Sequence, residues 1–136
     1  MSEHDYTDRP LIYVAGYYSA NPAHGIANAA EAWAALLELG ALPVVPHSTF
    51  LLDLVYPMPP EFWYAYDLGI LEHCDAMYVC EDETTWRSTG VQDEILFCEQ
   101  RGIPIFYEAH TLQRWLSGFT EKPWSRPGDE VGCDCG

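Results

Sequence analysis

Thr85-Trp86-Arg87-Ser88-Thr89-Gly90-Val91-Gln92-Asp93-Glu94 is the stretch whose residue types and spacing could do chemistry. It follows a short apolar run that reads as a buried strand, and it leads into Val91, Ile95 and Cys98, spaced like one face of a helix. A strand, a loop of small polar residues and a helix start together form a place for anions, because unpaired amides and the helix dipole point there. Glu94 shares the inward stripe with Val91 and Cys98, and a carboxylate turned toward a core needs a partner or a function. A plainer reading stands beside it. Thr89 with Gln92 fits a capping box, and Asp93 and Glu94 would complement the helix dipole.

A second group lies near the start of the chain. Leu11–Ala15 is an apolar run rich in strand formers, and Gly16-Tyr17-Tyr18-Ser19-Ala20-Asn21-Pro22 is the loop at its C-terminal end. In open α/β sheets that edge gathers ligands. The loop has no G-x-G-x-x-G, so a dinucleotide fingerprint is absent; its tyrosines could stack on a base or pack. Asp67 adjoins the stripe of Trp63, Tyr66, Ile70 and Cys74, where it is either solvated or within reach of the same site. His47, alone just past a strand, reads as structural.

The elements that must position these residues alternate. Strands are expected at 11–15, 42–45, 76–80 and 103–107. Helices are expected at 23–39, 61–74, from the motif to about 101, and at 111–119. In the first helix, Ile26, Ala30, Trp33 and Leu37 form the expected apolar face, and Gly40 and Gly102 end their helices. The proline-rich segment 46–60 reads as a loop, a lid or a site wall. The alternation predicts a three-layer, Rossmann-like (flavodoxin-like), mostly parallel open sheet of 4–5 strands with helices on both faces. Right-handed crossovers bring the loops after the first and third strands to one edge. Residues 1–120 form a single domain on this reading, and 121–136 a flexible tail.

Composition limits the partners. The 136 residues carry 21 acidic and 6 basic side chains, a formal charge of -15. Such a chain repels long nucleic acid, although a small anion could still bind locally through Arg87 and helix amides. No run is long and apolar enough for a membrane span. Of 5 cysteines, Cys74, Cys80 and Cys98 sit among apolar residues as reduced core thiols, while the C-x-C of Cys133 and Cys135 lacks a second ligand pair for a metal. A cytoplasmic protein without cofactor or metal is the expectation.

Taken as an ordered series, the chain resembles the nucleoside 2-deoxyribosyltransferase-like superfamily. The series covers about residues 11–107. It begins with I-Y-V-A-G-Y-Y-S, an alanine-rich helix ending in L-G, and a second strand ending in proline. It continues with W-Y-A-Y-D-L-G-I-L-E-H-C-D-A, then W-R-S-T-G-V-Q-D-E, and closes on the strand G-I-P-I. The resemblance is nearest to small phage and bacterial families related to 2'-deoxynucleoside 5'-phosphate N-hydrolases. It implies that Glu94 is the nucleophile on the anomeric carbon and that Asp67 positions the sugar and supports protonation of the departing base. Ser88 would help hold a 5'-phosphate, with Gly90 and Arg87 beside it, and Gly16, Tyr17 and Tyr18 would meet sugar and base. The implied reaction is N-glycosidic cleavage of a (deoxy)ribonucleoside 5'-monophosphate, with deoxyribosyl transfer or non-catalytic nucleotide binding as the other readings. A homodimer or higher homo-oligomer is implied as well. The series departs from the family in Glu81, Asp82 and Glu83, which would repel a phosphate unless directed outward, and in a first loop without arginine.

Overall fold

A computed structural model describes residues 6–16, 22–80 and 89–121. Four strands form one parallel sheet: β1 (Leu11–Ala15), β2 (Leu42–Val44), β3 (Ala76–Val79) and β4 (Ile105–Phe106), in the order β2-β1-β3-β4. That is the flavodoxin-like order, in which the chain reverses its winding between β1 and β3 and opens a crevice there. Register ties Ile12 to Ala76 and Ala15 to Val79 across that central pair. Asp75 closes its lower end, accepting the Leu11 N–H at 2.7 Å and donating its own to Leu11 O at 2.8 Å.

The helices are α1 (Pro22–Leu39), α2 (Thr49–Val55), α3 (Pro60–Glu72), α4 (Thr89–Arg101) and α5 (Ala109–Glu121). Successive residues of β1 point to opposite faces, which builds two cores. Ile12 and Val14 pack with Ala29, Leu36, Leu112 and Leu116 of α1 and α5. Tyr13 and Ala15 pack with Leu71, Val91 and Cys98 of α3 and α4, together with Met77. After α1 the chain turns in a Schellman arrangement, with Gly40 N–H on Leu37 O, Ala41 N–H on Leu36 O and Gly40 at φ 104°. Gly102 at φ 71° ends α4 in the same left-handed conformation.

Three expectations need correction. The inner face of α1 is Gly25, Ala29 and Leu36, not the line through Ala30 and Trp33; Trp33 is 43% exposed. Small residues face the sheet because they let the helix approach it. The stripe of α3 is likewise one position over. Leu71 is fully buried and Tyr66 is 46% exposed, which turns Asp67 inward. Segment 46–60 is not a loop but a 3-10 turn (Pro46–Ser48) running into α2, and it ends where α3 begins at Pro60. Pro46 sits in the first turn, where its missing N–H is not needed, and Thr49 Oγ1 donates back to Pro46 O at 2.8 Å. Because α2 is apolar on nearly every side, it shows no helical period in sequence. The tail from 122 lies outside the described residues.

Candidate active site

Strand β1 contributes the first side chain. Tyr13 lies at the centre of a fully buried strand, and its hydroxyl must find a partner there or remain unsatisfied. The partner is Glu94: Tyr13 Oη donates to Glu94 Oε2. Glu94 reaches the strand because it lies on the inward stripe of α4 between buried Val91 and Cys98. From the neighbouring helix, Asp67 enters the same space through the shifted face of α3. Its Oδ1 is buried without a hydrogen-bond partner among the described residues. A buried carboxylate oxygen without a donor is costly, and such an atom marks a place where a ligand or a proton belongs.

The electrostatics raise the pKa of both acids, Glu94 by more causes than Asp67. Burial lifts Asp67 to about 7. Glu94 is also pushed up to about 7, chiefly by burial and further by the charges of Asp67 and Asp93, while the Tyr13 hydrogen bond pulls it down. The helix dipole does little to hold Glu94 ionised, since the residue lies more than one turn inside α4 and is desolvated there. What favours its charge is the phenol. Among the described residues nothing donates to Asp67 Oδ1. Near neutrality the two carboxyls therefore titrate together as a pair, with the phenol favouring the charge on Glu94. The Tyr13 phenol is itself raised well above its ordinary value, by burial first and then by Glu94 and Asp67, so it stays a donor.

The supporting shell is built from the strand ends. Gly16, just past β1, is packed so tightly that a Cβ there would stand 3.3 Å from Cys80 Cβ and 3.6 Å from His47 Nε2. His47 is 2% exposed, and its Nε2 lies 2.9 Å from Gly16 O; a carbonyl only accepts, so Nε2 carries the proton. Burial lowers the His47 pKa, which keeps the imidazole neutral in this structural role. Above the acids, Tyr64 clasps α3 to α4 through a hydrogen bond to Asp93, and burial with that bond pushes its hydroxyl up to about 12.

Glu94 and Asp67 are thus brought together, and Gly16 lies at the adjoining strand end; Gly90 is the second residue of α4. Tyr17, Tyr18, Arg87 and Ser88 lie outside the described residues. Sequence reasoning missed Tyr13. The available signal was a hydroxyl inside an otherwise apolar strand, I-Y-V, which requires a buried acceptor. Among the described residues no group of three His, Cys, Asp or Glu side chains could hold a metal ion, and no helix is long and apolar enough to cross a membrane.

The arrangement can deliver a carboxylate and a proton to one place, the demand made by displacement at an acetal-like carbon. No curated protein matches the chain, and no solved structure matches it. A family model does match residues 10–108, the whole span of strands and site, and the chain belongs to that family, a domain of unknown function (DUF7768).

Proposed function

We propose that the protein cleaves the N-glycosidic bond of a (deoxy)ribonucleoside 5'-monophosphate and releases the free base. The observation that carries this reading is the Tyr13–Glu94–Asp67 cluster, a phenol-held carboxylate beside a second carboxyl whose buried Oδ1 has no hydrogen-bond partner among the described residues. Glu94 attacks the anomeric carbon with the oxygen that Tyr13 does not hold, and the C–N bond breaks as the C–O bond forms. Asp67 gives its proton to the departing base nitrogen. Water then enters, returns a proton to Asp67, and breaks the glycosyl ester, restoring the Glu94 carboxylate. Ser88, Gly90 and the first amides of α4, with Arg87, would receive the 5'-phosphate, and Tyr17 and Tyr18 the base. Localisation in the cytoplasm fits the thiols of Cys74 and Cys98, which are buried in the core. A homodimer fits the family resemblance.

A transferase reading, in which another base replaces water and the substrate lacks the phosphate, draws on a specific observation. Arg9 is bonded to Leu37 O and Ala41 O, and Arg101 closes α4, so both sit at the opposite edge of the sheet. Arg114 is on the exposed side of α5 in the other layer. No described cation therefore faces a phosphate, and the burden falls on Arg87. Incubating the protein with a panel of nucleosides and 5'-monophosphates tests both readings. Base released from monophosphates alone is the expected result. Release from nucleosides, with exchange when a different free base is added, would replace hydrolysis by transfer. No release from any member would leave a nucleotide-binding protein instead.

A further inference from the structure

Helix α2 is apolar on nearly every side, and a helix of that kind is normally buried. Thr49, Phe50 and Asp53 are its covered residues; outward, Leu51 is 67% exposed, Leu52 55%, Leu54 63% and Val55 85%. The band continues through Tyr56, 75% exposed, to the stacked rings of Phe62 and Tyr66 on α3. It is held in shape rather than left loose. Asp53 Oδ1 accepts the Trp63 indole N–H at 2.6 Å and the Met58 N–H at 2.9 Å, locking α2 onto α3. Scattered single apolar residues need no explanation on a surface, but a preformed contiguous band does.

We propose that this α2–α3 band is the self-association face of the protein, meeting the same band of a second copy about a twofold axis. Charge selects the occupant. The chain carries -15 overall, yet residues 49–66 hold two acids, Asp53 and Glu61, and no base. Two copies repel each other least where that band is presented. A basic partner would find almost no charge to pair with. An anionic membrane surface would be repelled by the rest of the chain, and the lysines and arginines that seat interfacial helices are missing from the band. The chain's own C-terminal stretch is a poor cover. α5 belongs to the opposite layer, on the Ile12 and Val14 side, and 122–136 offer only Trp124 and Val131 as large apolar residues. The same patch on both copies gives a closed dimer rather than a filament.

This inference names the face of the homodimer and does not depend on the glycosidic chemistry, so sedimentation and base release can fail separately. Sedimentation velocity of the full chain should show a dimer that tightens as NaCl is raised, because salt screens the repulsion between acidic copies. Leu54→Glu with Val55→Glu should raise the dimer dissociation constant by at least about tenfold while far-UV circular dichroism stays the same. If that pair lowers the melting temperature, Val55→Glu alone, at the most exposed position, makes the same test. A wild-type monomer at every concentration overturns the proposal, whether or not it floats with phosphatidylcholine vesicles. So does a dimer that both variants leave intact.

Discussion

The two faces of β1 lie one residue apart and differ in kind. On the α1–α5 side Ile12 and Val14 pack in a hydrophobic cluster with Ala29, Leu36 and Leu112. On the α3–α4 side Tyr13 meets two carboxyls, Glu94 through a hydrogen bond and Asp67 through its field. Both faces are equally closed to water at the strand, so burial alone does not distinguish them. The difference lies in what the burial is used for. Each face hides hydrocarbon, which stabilises; the second also hides carboxyls, which cost stability and point to a function that uses them. Core is built on both sides of the strand, and its odd face also holds the paired acids on which the proposed chemistry rests.

Substitutions can break that comparison. Glu94→Gln should lower base release by about 10³-fold or more, the range for losing an essential reacting group, with the fold intact; steady-state kinetics beside a thermal melt would read both, and activity near wild type would end the nucleophile assignment. On the opposite face, Leu112→Ala should cost about 2–5 kcal/mol in a denaturant melt and leave kcat of the remaining folded enzyme unchanged. If kcat falls in step with stability, the division between faces is wrong. Tyr13→Phe is expected to cost roughly 10- to 150-fold in kcat/KM, since a hydrogen bond to a charged group contributes about 1.5–3 kcal/mol. It should also move the acidic limb of the pH–rate profile upward, because the donor that favours ionised Glu94 is gone. A purely structural Tyr13 would leave that limb where it was.

The smallest effect concerns stability against pH. The folded-state values of Asp67 and Glu94, both raised to about 7, exceed their ordinary carboxylate values of 3.8 and 4.5. Their contribution is therefore fully present below about pH 4 and is lost as pH rises through about 7, because the folded protein must give up protons it binds more tightly than the unfolded chain does. The melting temperature of wild type should fall across that window. Asp67→Asn should flatten the fall by more than half, since it removes one of the two groups and the charge that helps raise the other. A slope unchanged in that variant would mean that Asp67 does not titrate there.

Much of this was legible beforehand, for a physical reason. Val91, Glu94, Ile95 and Cys98 repeat at helical spacing on a helix with only one covered face, so Glu94 could be placed correctly from pattern alone. The strands and the left-handed Gly40 and Gly102 carried equally local signals. Asp67 was found, but on a flank, because α3 bears aromatic residues on its outer side as well as its inner one; size suggested Tyr66 as the inward residue, and only packing against Leu71 and Cys74 decides otherwise. Tyr13 is paired with a residue 81 positions away, a separation at which no periodicity speaks. The α2 helix was invisible for the opposite reason, having too much apolar surface to show a face.

That helix has one more consequence. No residue of α2 belongs to either core, and its attachment to α3 depends heavily on one carboxylate, which Met58 and then Trp63 hold below the usual carboxylate range. In a single copy, whose band is uncovered, breaking the Asp53 contacts lets this segment lift away while the sheet remains whole. Amide hydrogens of α2 should then exchange with solvent through a cheap local opening, and those of β1 only when the entire chain unfolds. Within one small domain the two ends of that scale would be separated by the length of a 3-10 turn, with His47 anchoring the slow side and Asp53 releasing the fast one.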